Sequence, residues 1–205
     1  LKNLIIFLPL FLNYTSWSLI NYSKLILPVI FFSFIASSIY IINDLIDLET
    51  DQKHQFKKLR PIASGLIKFK TAIYISSGLA IISLLFFFKY SNFKVFILVF
   101  AYLLINIFYS VLIKKIKYLD ILFVASGFFI RIFIGSIISD LEISNFFISQ
   151  IILFSIFILI CKRREYFYIY DDRVNSKYNL EELNLFSKIF LILNILNYFL
   201  YFFYG

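Results

Sequence analysis

Methionine is absent from this 205-residue chain, and cysteine and histidine occur once each. A single cysteine, Cys161, excludes an intrachain disulfide and any metal site built from several cysteines. It reads as a small apolar residue within a helix. His54 lies in a basic stretch, where it is either a solvated loop residue, the simpler reading, or a catalytic group. A translated chain begins with methionine, so one that starts at Leu1 is expected to be a fragment or a processed form lacking its extreme N-terminus. Gly205 directly follows an apolar run, which extends the expectation of truncation to the other end. No cleavable signal peptide is evident. Internal repeats and low-complexity linkers are also missing. Acids are scarce: 12 Asp and Glu stand against 20 Lys and Arg, for a net charge of +8.

What is abundant is apolar and aromatic. The chain is 61% hydrophobic, with 28 Phe and 15 Tyr, and its mean hydropathy is +0.89. Soluble domains are nearer 45–50% apolar. The composition therefore indicates an all-α polytopic membrane protein in contact with the lipid bilayer. Seven apolar segments can be drawn, at residues 4–20, 25–46, 71–88, 93–113, 119–139, 143–161 and 185–204. Each is about long enough to cross a bilayer as a helix. The runs are continuous rather than alternating, which favours a bundle of about seven transmembrane helices over a barrel. The first is the weakest, because Pro9, Asn13 and Ser16 interrupt it. All 205 residues are read as a single transmembrane domain.

Charge in the connecting segments gives orientation. Those after the second, fourth and sixth spans carry Lys53, Lys57, Lys58, Arg60, Lys68 and Lys70, then Lys114, Lys115 and Lys117, then Lys162, Arg163, Arg164, Arg173 and Lys177. The opposite segments carry only Lys24, Lys89 and Lys94, with acidic Asp140 and Glu142. The basic loops are therefore expected in the cytoplasm. This accounts for the positive charge without nucleic acid, which is not an expected partner. The long loops, residues 47–70 and 162–184, are of a size that is usually functional or disordered.

The most informative stretch closes the second span. Residues 43–51 read NDLIDLETD and run into KHQFKKLRPIASG. If the helix continues through them, Asp44, Asp47 and Asp51 fall at i, i+3 and i+7, within about 60° on one face. Like charges at that spacing repel, and a bound cation would relieve them. Magnesium takes hard oxygen ligands, commonly one or two carboxylates completed by phosphates and water. Asn43 can orient a ligand through its amide. Lys57 and Arg60 suit the charge left on a diphosphate, since a guanidinium grips two oxygens at once. Pro61 biases Arg60 away from helical geometry, and Gly65 permits a further turn.

At these residues the chain resembles the UbiA-type prenyltransferase superfamily, whose first motif is NDxxDxxxD. It is most similar to the decaprenyl-phosphate phosphoribosyltransferase branch, with its pattern NDxxDxxxDxxHPxKxxRPxAxG. Asn43, Asp44, Asp47, Asp51, His54, Lys57, Arg60, Pro61, Ala63 and Gly65 match, and Gln55 departs where the branch has proline. Aromatic prenyltransferases usually carry a second aspartate-rich DxxxD cluster after the fourth helix. Here the segment reads YSVLIKKIKYLD and supplies Tyr109, Ser110, Lys114 and Asp120, resembling YSxxxKxxxxxD of the same branch. The segments FFIRIFIGS and CKRRE resemble it through Arg131, Gly135, Lys162 and Arg163. The resemblance covers essentially the whole chain and implies a nine-helix fold with its last two helices missing here.

Read physically, Asp120 opens the fifth span, where an acid is also favourable to the helix dipole by about 0.3–1 kcal/mol. Arg131 lies eleven residues on, close to three turns, so both project on one face with Gly127 and Gly135. An ionisable residue at mid-helix is expected to face a polar cavity; Arg131 either pairs with another helix or meets a phosphate. Lys162 and Arg163 serve as topology anchors or as phosphate ligands. Asp171 and Asp172 lack a third carboxylate at helical spacing and read as solvated loop.

The resemblance implies Mg2+-dependent transfer of a 5-phosphoribosyl group from phosphoribosyl diphosphate to a polyprenyl phosphate. The site would lie on the cytoplasmic side of a prokaryotic plasma membrane. The implied roles are metal binding by Asp44, Asp47 and Asp51, and diphosphate binding by Lys57 and Arg60. Asn43, Tyr109, Lys114, Asp120, Arg131, Lys162 and Arg163 would bind substrate. An ionised lipid phosphate needs little help from a general base, which suits a chain without a second histidine. The product class feeds cell-wall synthesis in some bacteria. The alternative is a UbiA-type prenyltransferase joining a polyprenyl diphosphate to an aromatic or other acceptor. A transporter would instead string polar groups across the bilayer on several helices, whereas here only Arg131 lies deep.

Overall fold

The computed structural model describes residues 2–13, 19–170 and 178–204. Among them all regular structure is helical. Among the described residues six helices are long and apolar enough to cross a membrane, with spans Tyr22–Ile46, Phe69–Tyr90, Phe93–Val111, Leu119–Ser139, Asn145–Phe167 and Leu180–Tyr204. They account for the last six of the seven apolar segments. The first apolar segment is a 3-10 helix, Lys2–Phe7, leading into a one-turn helix α1, Leu8–Leu12. Pro9 is accommodated in the first turn of α1, and Asn13 leaves helical geometry at φ −105° and ψ 90°. Ser16 lies outside the described residues.

The chain divides into two compact units, one formed by Leu1–Leu112 with Ile132–Leu141, the other by Ile113–Arg131 with Glu142–Gly205. In the first, α2 (Leu19–Ile46) packs against α4 (Phe69–Tyr90) and α5 (Phe93–Val111). Apolar burial does not discriminate helix–helix from helix–lipid contact inside a bilayer, so packing and hydrogen bonds between helices must do so. Ser38 Oγ donates to the Ser76 carbonyl at 2.8 Å, and Ser83 Oγ to the Phe31 carbonyl at 2.9 Å, which ties α2 to α4 at two heights. Phe31 stacks on Phe86 with ring centres 3.9 Å apart, and Phe32 meets Tyr102 of α5 at 4.8 Å. The Asn92 side chain accepts from the Lys94 amide at 3.0 Å and caps α5. Gly135, in the last turns of α6 (Leu119–Ser139), lets the Ile6 carbonyl approach so closely that a Cβ there would overlap it.

In the second unit α7 (Asn145–Tyr170) packs along α8 (Leu180–Tyr204). A core of Ile121, Ala125, Ile156, Ile160, Tyr178 and Leu183 joins them to the start of α6. Toward the other end, Ser149 and Gln150 of α7 bond Asn197 and Asn194 of α8 at 2.7 and 2.8 Å. Such amide pairs fix the register of two helices whose faces are otherwise interchangeably greasy.

Both long segments expected as loops contain helix among their described residues. The first contains the short helix α3 (Leu48–Lys53) and a 3-10 turn, Lys57–Leu59. In the second, α7 runs on to Tyr170, so Lys162, Arg163 and Arg164 are helical, not loop, residues.

Candidate functional site

The first polar constellation sits at the end of α2. Helical hydrogen bonding carries through its last turn: the Asp47 amide donates to the Asn43 carbonyl at 2.9 Å, and the Asp51 amide to the Asp47 carbonyl at 2.8 Å. The chain therefore turns only slightly at Asp47 before α3, and the three aspartates keep their helical spacing. His54 then ends α3, at φ −85° and ψ 136°. Its Nδ1 accepts from the Phe56 and Lys57 amides at 3.2 and 3.4 Å, which gives this histidine a turn-forming task. Arg60 is extended (φ −60°, ψ 145°), as Pro61 requires. Beyond it the Ser64 amide bonds the Arg60 carbonyl, the Ile67 amide bonds the Pro61 carbonyl, and Gly65 takes φ 81°.

This loop folds Arg60 back onto the helix. Its Nη1 donates to Asp44 Oδ1 and to Asp51 Oδ2, each at 2.8 Å. The side chain of Asp51 is 5% exposed, that of Asp44 28% and that of Arg60 38%. Asp47 receives the Asn43 amide nitrogen at 3.2 Å, so Asn43 orients a carboxylate. Lys57, on the 3-10 turn, is half-buried. Among the described residues no three His, Cys, Asp or Glu side chains gather into a metal-holding group. The cationic position between Asp44 and Asp51 is filled by Arg60. Donor chemistry nonetheless suits magnesium: two carboxylate oxygens converge on one positive atom, and the ion needs only one or two carboxylates when phosphates and water supply the rest.

The second constellation lies in the other unit. Asp120, in the first turn of α6, is fully buried at 0% exposure. Arg163 Nη2 donates to its Oδ2 at 2.9 Å, and the Tyr178 hydroxyl donates to its Oδ1. The Tyr118 amide donates in turn to the Tyr178 hydroxyl oxygen at 2.9 Å. Tyr118 adopts φ 67°, a left-handed conformation unusual for an aromatic residue. Beside it Lys117 Nζ bonds Glu182 Oε2 at 2.5 Å and lies over the Tyr118 ring at 5.1 Å. The bond to Glu182 raises the Lys117 pKa above the usual lysine range. Burial, then the bond to Asp120, pushes the Tyr178 hydroxyl well above the ordinary tyrosine range.

The sequence-predicted residues thus separate into groups. Asp44, Asp51 and Arg60 are brought together, as are Asn43 with Asp47 and Asp120 with Arg163. Asp120 has protein partners on both oxygens, Arg163 on one and Tyr178 on the other. Arg131 is buried, donates to the Gly127 carbonyl of its own helix at 2.6 Å, and lies 5.9 Å from the Phe128 ring. Lys162 and Arg163 take different faces of α7: Lys162 lines a groove of about 530 Å³ with Cys161, Arg164 and Glu165, while Arg163 turns to Asp120. Tyr109 and Lys114 are half-buried, on α5 and on the 3-10 turn Ile113–Lys115. Asp171, Asp172, Arg173 and Lys177 lie outside the described residues. Sequence reasoning missed Lys117, Tyr118, Tyr178 and Glu182. The chain gives no local sign that residues about sixty positions apart meet here.

Comparison with known proteins places these features in a family. The profile of the UbiA prenyltransferase family matches residues 4–176. A decaprenyl-phosphate phosphoribosyltransferase of Mycolicibacterium smegmatis is 33% identical over 141 residues, covering 69% of this chain and 44% of the relative. One from Corynebacterium glutamicum is 31% identical over 133 residues, covering 64% and 40%. An uncharacterised protein of Sinorhizobium fredii is 30% identical over 167 residues, covering 79% and 31%. The matched region thus spans less than half the length of each of these relatives.

Proposed function

Because this chain belongs to the UbiA prenyltransferase family, we propose that it is a membrane transferase that moves a 5-phosphoribosyl group from phosphoribosyl diphosphate to a polyprenyl phosphate. An oxygen of the lipid phosphate attacks the anomeric carbon of the ribosyl group. The bond from that carbon to the diphosphate breaks, and the diphosphate leaves with the electron pair. The observation that carries the reading is the contrast between the two constellations. The first has Asp44 and Asp51 on one arginine, with Asp47 held by Asn43. The second has one buried aspartate beneath an arginine, with Lys114 and Lys162 nearby in sequence.

Asp44, Asp47 and Asp51 would hold magnesium, which when bound would neutralise the leaving diphosphate and stabilise its developing charge. Lys57 and Arg60 would add donors to the same anion as the ribosyl carbon becomes oxocarbenium-like. Arg163, and with it Lys114, Arg131 and Lys162, would bind the sugar 5-phosphate or the lipid phosphate. The similarity to proteins named decaprenyl-phosphate phosphoribosyltransferase supports this substrate pair. The basic segments support a cytoplasmic site, where a soluble diphosphate donor is available.

The test supplies membranes containing the full-length protein with labelled phosphoribosyl diphosphate and polyprenyl phosphate, with and without magnesium. Label is expected in the lipid fraction only when magnesium is present. Label transferred instead from a prenyl diphosphate to an aromatic acceptor would overturn the assignment and establish the alternative chemistry.

A further inference from the structure

Arg163 reaches Asp120 from the C-terminal third of α7, with 43% of its side chain exposed. Left to itself, an arginine so placed samples many rotamers, and binding an anion would cost the ordering of that side chain. Here one edge of the guanidinium is fixed. Asp120 is fully buried, and its second oxygen is held by the Tyr178 hydroxyl. That hydroxyl is itself aimed by the Tyr118 amide, and the amide points there because Tyr118 takes its left-handed turn. The neighbouring Lys117–Glu182 pair and the Tyr118 hydroxyl, 3.2 Å from Glu182, tie the same turn to α8. Strain in a non-glycine residue persists only where the surroundings over-determine it, and such residues gather at functional sites.

We propose that Tyr178 and Asp120 are positioning residues for a phosphate-binding arginine: they lock Arg163 with one edge on Asp120 and leave its outer edge to grip a phosphomonoester. The proposal rests on the reading of the protein as a phosphoribosyltransferase, and it deepens that reading by assigning roles to residues that never touch substrate. The anion is either the 5-phosphate of the donor or the phosphate of the lipid acceptor, and both present the same chemistry to a guanidinium. A carboxylate that orients arginine in this way does in protein what an outer-shell partner does for a metal ligand. The apolar surroundings of the clasp keep water from competing for Asp120.

The experiment is a double-mutant cycle on the full-length protein in lipid nanodiscs, varying donor and lipid acceptor separately. Tyr178→Phe is expected to raise KM for one of the two substrates by about tenfold, the scale of one charge-assisted hydrogen bond, with kcat within about twofold. Which KM rises identifies the phosphate. Asp120→Asn, which keeps the shape and removes the charge, is expected to act on the same KM. In an Arg163→Ala background, Tyr178→Phe is expected to change neither KM further, which a merely structural role would not predict. If wild type turns over neither substrate, the functional reading fails by itself. Inorganic phosphate binding by calorimetry then tests the clasp, and Tyr178→Phe must weaken it only when Arg163 is present. Unchanged KM values and phosphate affinity in Tyr178→Phe, or equal losses with and without Arg163, would overturn the proposal.

Discussion

Replacing Arg60 by methionine keeps much of the side-chain length and removes a charge that contacts both Asp44 and Asp51. Both carboxylate oxygens lie 2.8 Å from the same nitrogen, so they can be no more than twice that distance apart. Two unit charges ~5.6 Å apart repel by ~3 kcal/mol at an effective dielectric near 20. Asp44 and Arg60 are partly exposed, at 28% and 38%, and screening by solvent reduces the repulsion to about 1–2 kcal/mol. The lost bond to Asp51, whose side chain is 5% exposed, adds about 1.5–3 kcal/mol, because a charged group is left poorly solvated. Arg60→Met is therefore expected to lower stability by about 2.5–5 kcal/mol, read by denaturant titration of the full-length protein in micelles without divalent ions. Adding Asp51→Asn removes both the repulsion and the stranded charge, and should recover more than half of the loss. Millimolar magnesium should stabilise Arg60→Met more than wild type, since the ion takes the vacated position. A loss below about 0.5 kcal/mol, with no recovery on adding Asp51→Asn, would refute the electrostatic account of this loop.

Asp44→Asn and Asp47→Asn are each expected to abolish labelled-lipid formation while the protein remains folded by circular dichroism; full activity in both would remove the metal assignment. Gly135→Ala places a methyl group against the backbone carbonyl of Ile6, which cannot swing aside as a side chain can, so a loss of about 1–3 kcal/mol is expected by the same titration. Stability should also fall at alkaline pH. The pKa values of Tyr178 and Lys117 are both raised in the folded state, so the folded chain holds protons that the unfolded chain releases above pH ~10. Their contribution is complete below that pH and is lost as the pH climbs through the raised values. Tyr178→Phe should flatten the alkaline limb, measured as the unfolding midpoint against pH.

The first constellation was legible because its determinants are local. Asp44, Asp47 and Asp51 share a helix face by spacing alone, Pro61 dictates the extended backbone of Arg60, and Gly65 takes the positive φ its turn requires. That Arg60 would fold back onto Asp44 and Asp51 was not legible; the sequence suggested an arginine aimed at an anion. Helix lengths failed for a different reason. Hydropathy reports where lipid ends, not where a helix ends, and Lys162, Arg163, Arg164 and Glu165 are all compatible with helix in water. Hence α7 continues to Tyr170. The second constellation was half legible. Asp120 and Arg163 could be named as charged residues near span ends, but the hydroxyl that joins them comes from Tyr178, 58 residues from Asp120 in the chain. No periodicity predicts such a contact. Nor does anything in a tyrosine announce the left-handed turn at Tyr118.

Charge balance within each constellation argues for a phosphorylated acceptor over an aromatic one. A buried or half-buried charge at the edge of a membrane must be matched by the protein or by a ligand. In the first unit one guanidinium contacts two carboxylates, and a third, Asp47, accepts from the Asn43 amide. Three carboxylates so placed suit the proposed divalent ion carrying a diphosphate. In the second unit Asp120 is matched by Arg163 and Glu182 by Lys117, while Lys162 and Arg164 line a groove with Glu165. That groove carries a surplus of one positive charge. A neutral aromatic acceptor would leave that surplus without a task. A lipid phosphate or a sugar 5-phosphate would engage it, which is why we propose phosphoribosyl transfer over prenylation of an aromatic acceptor.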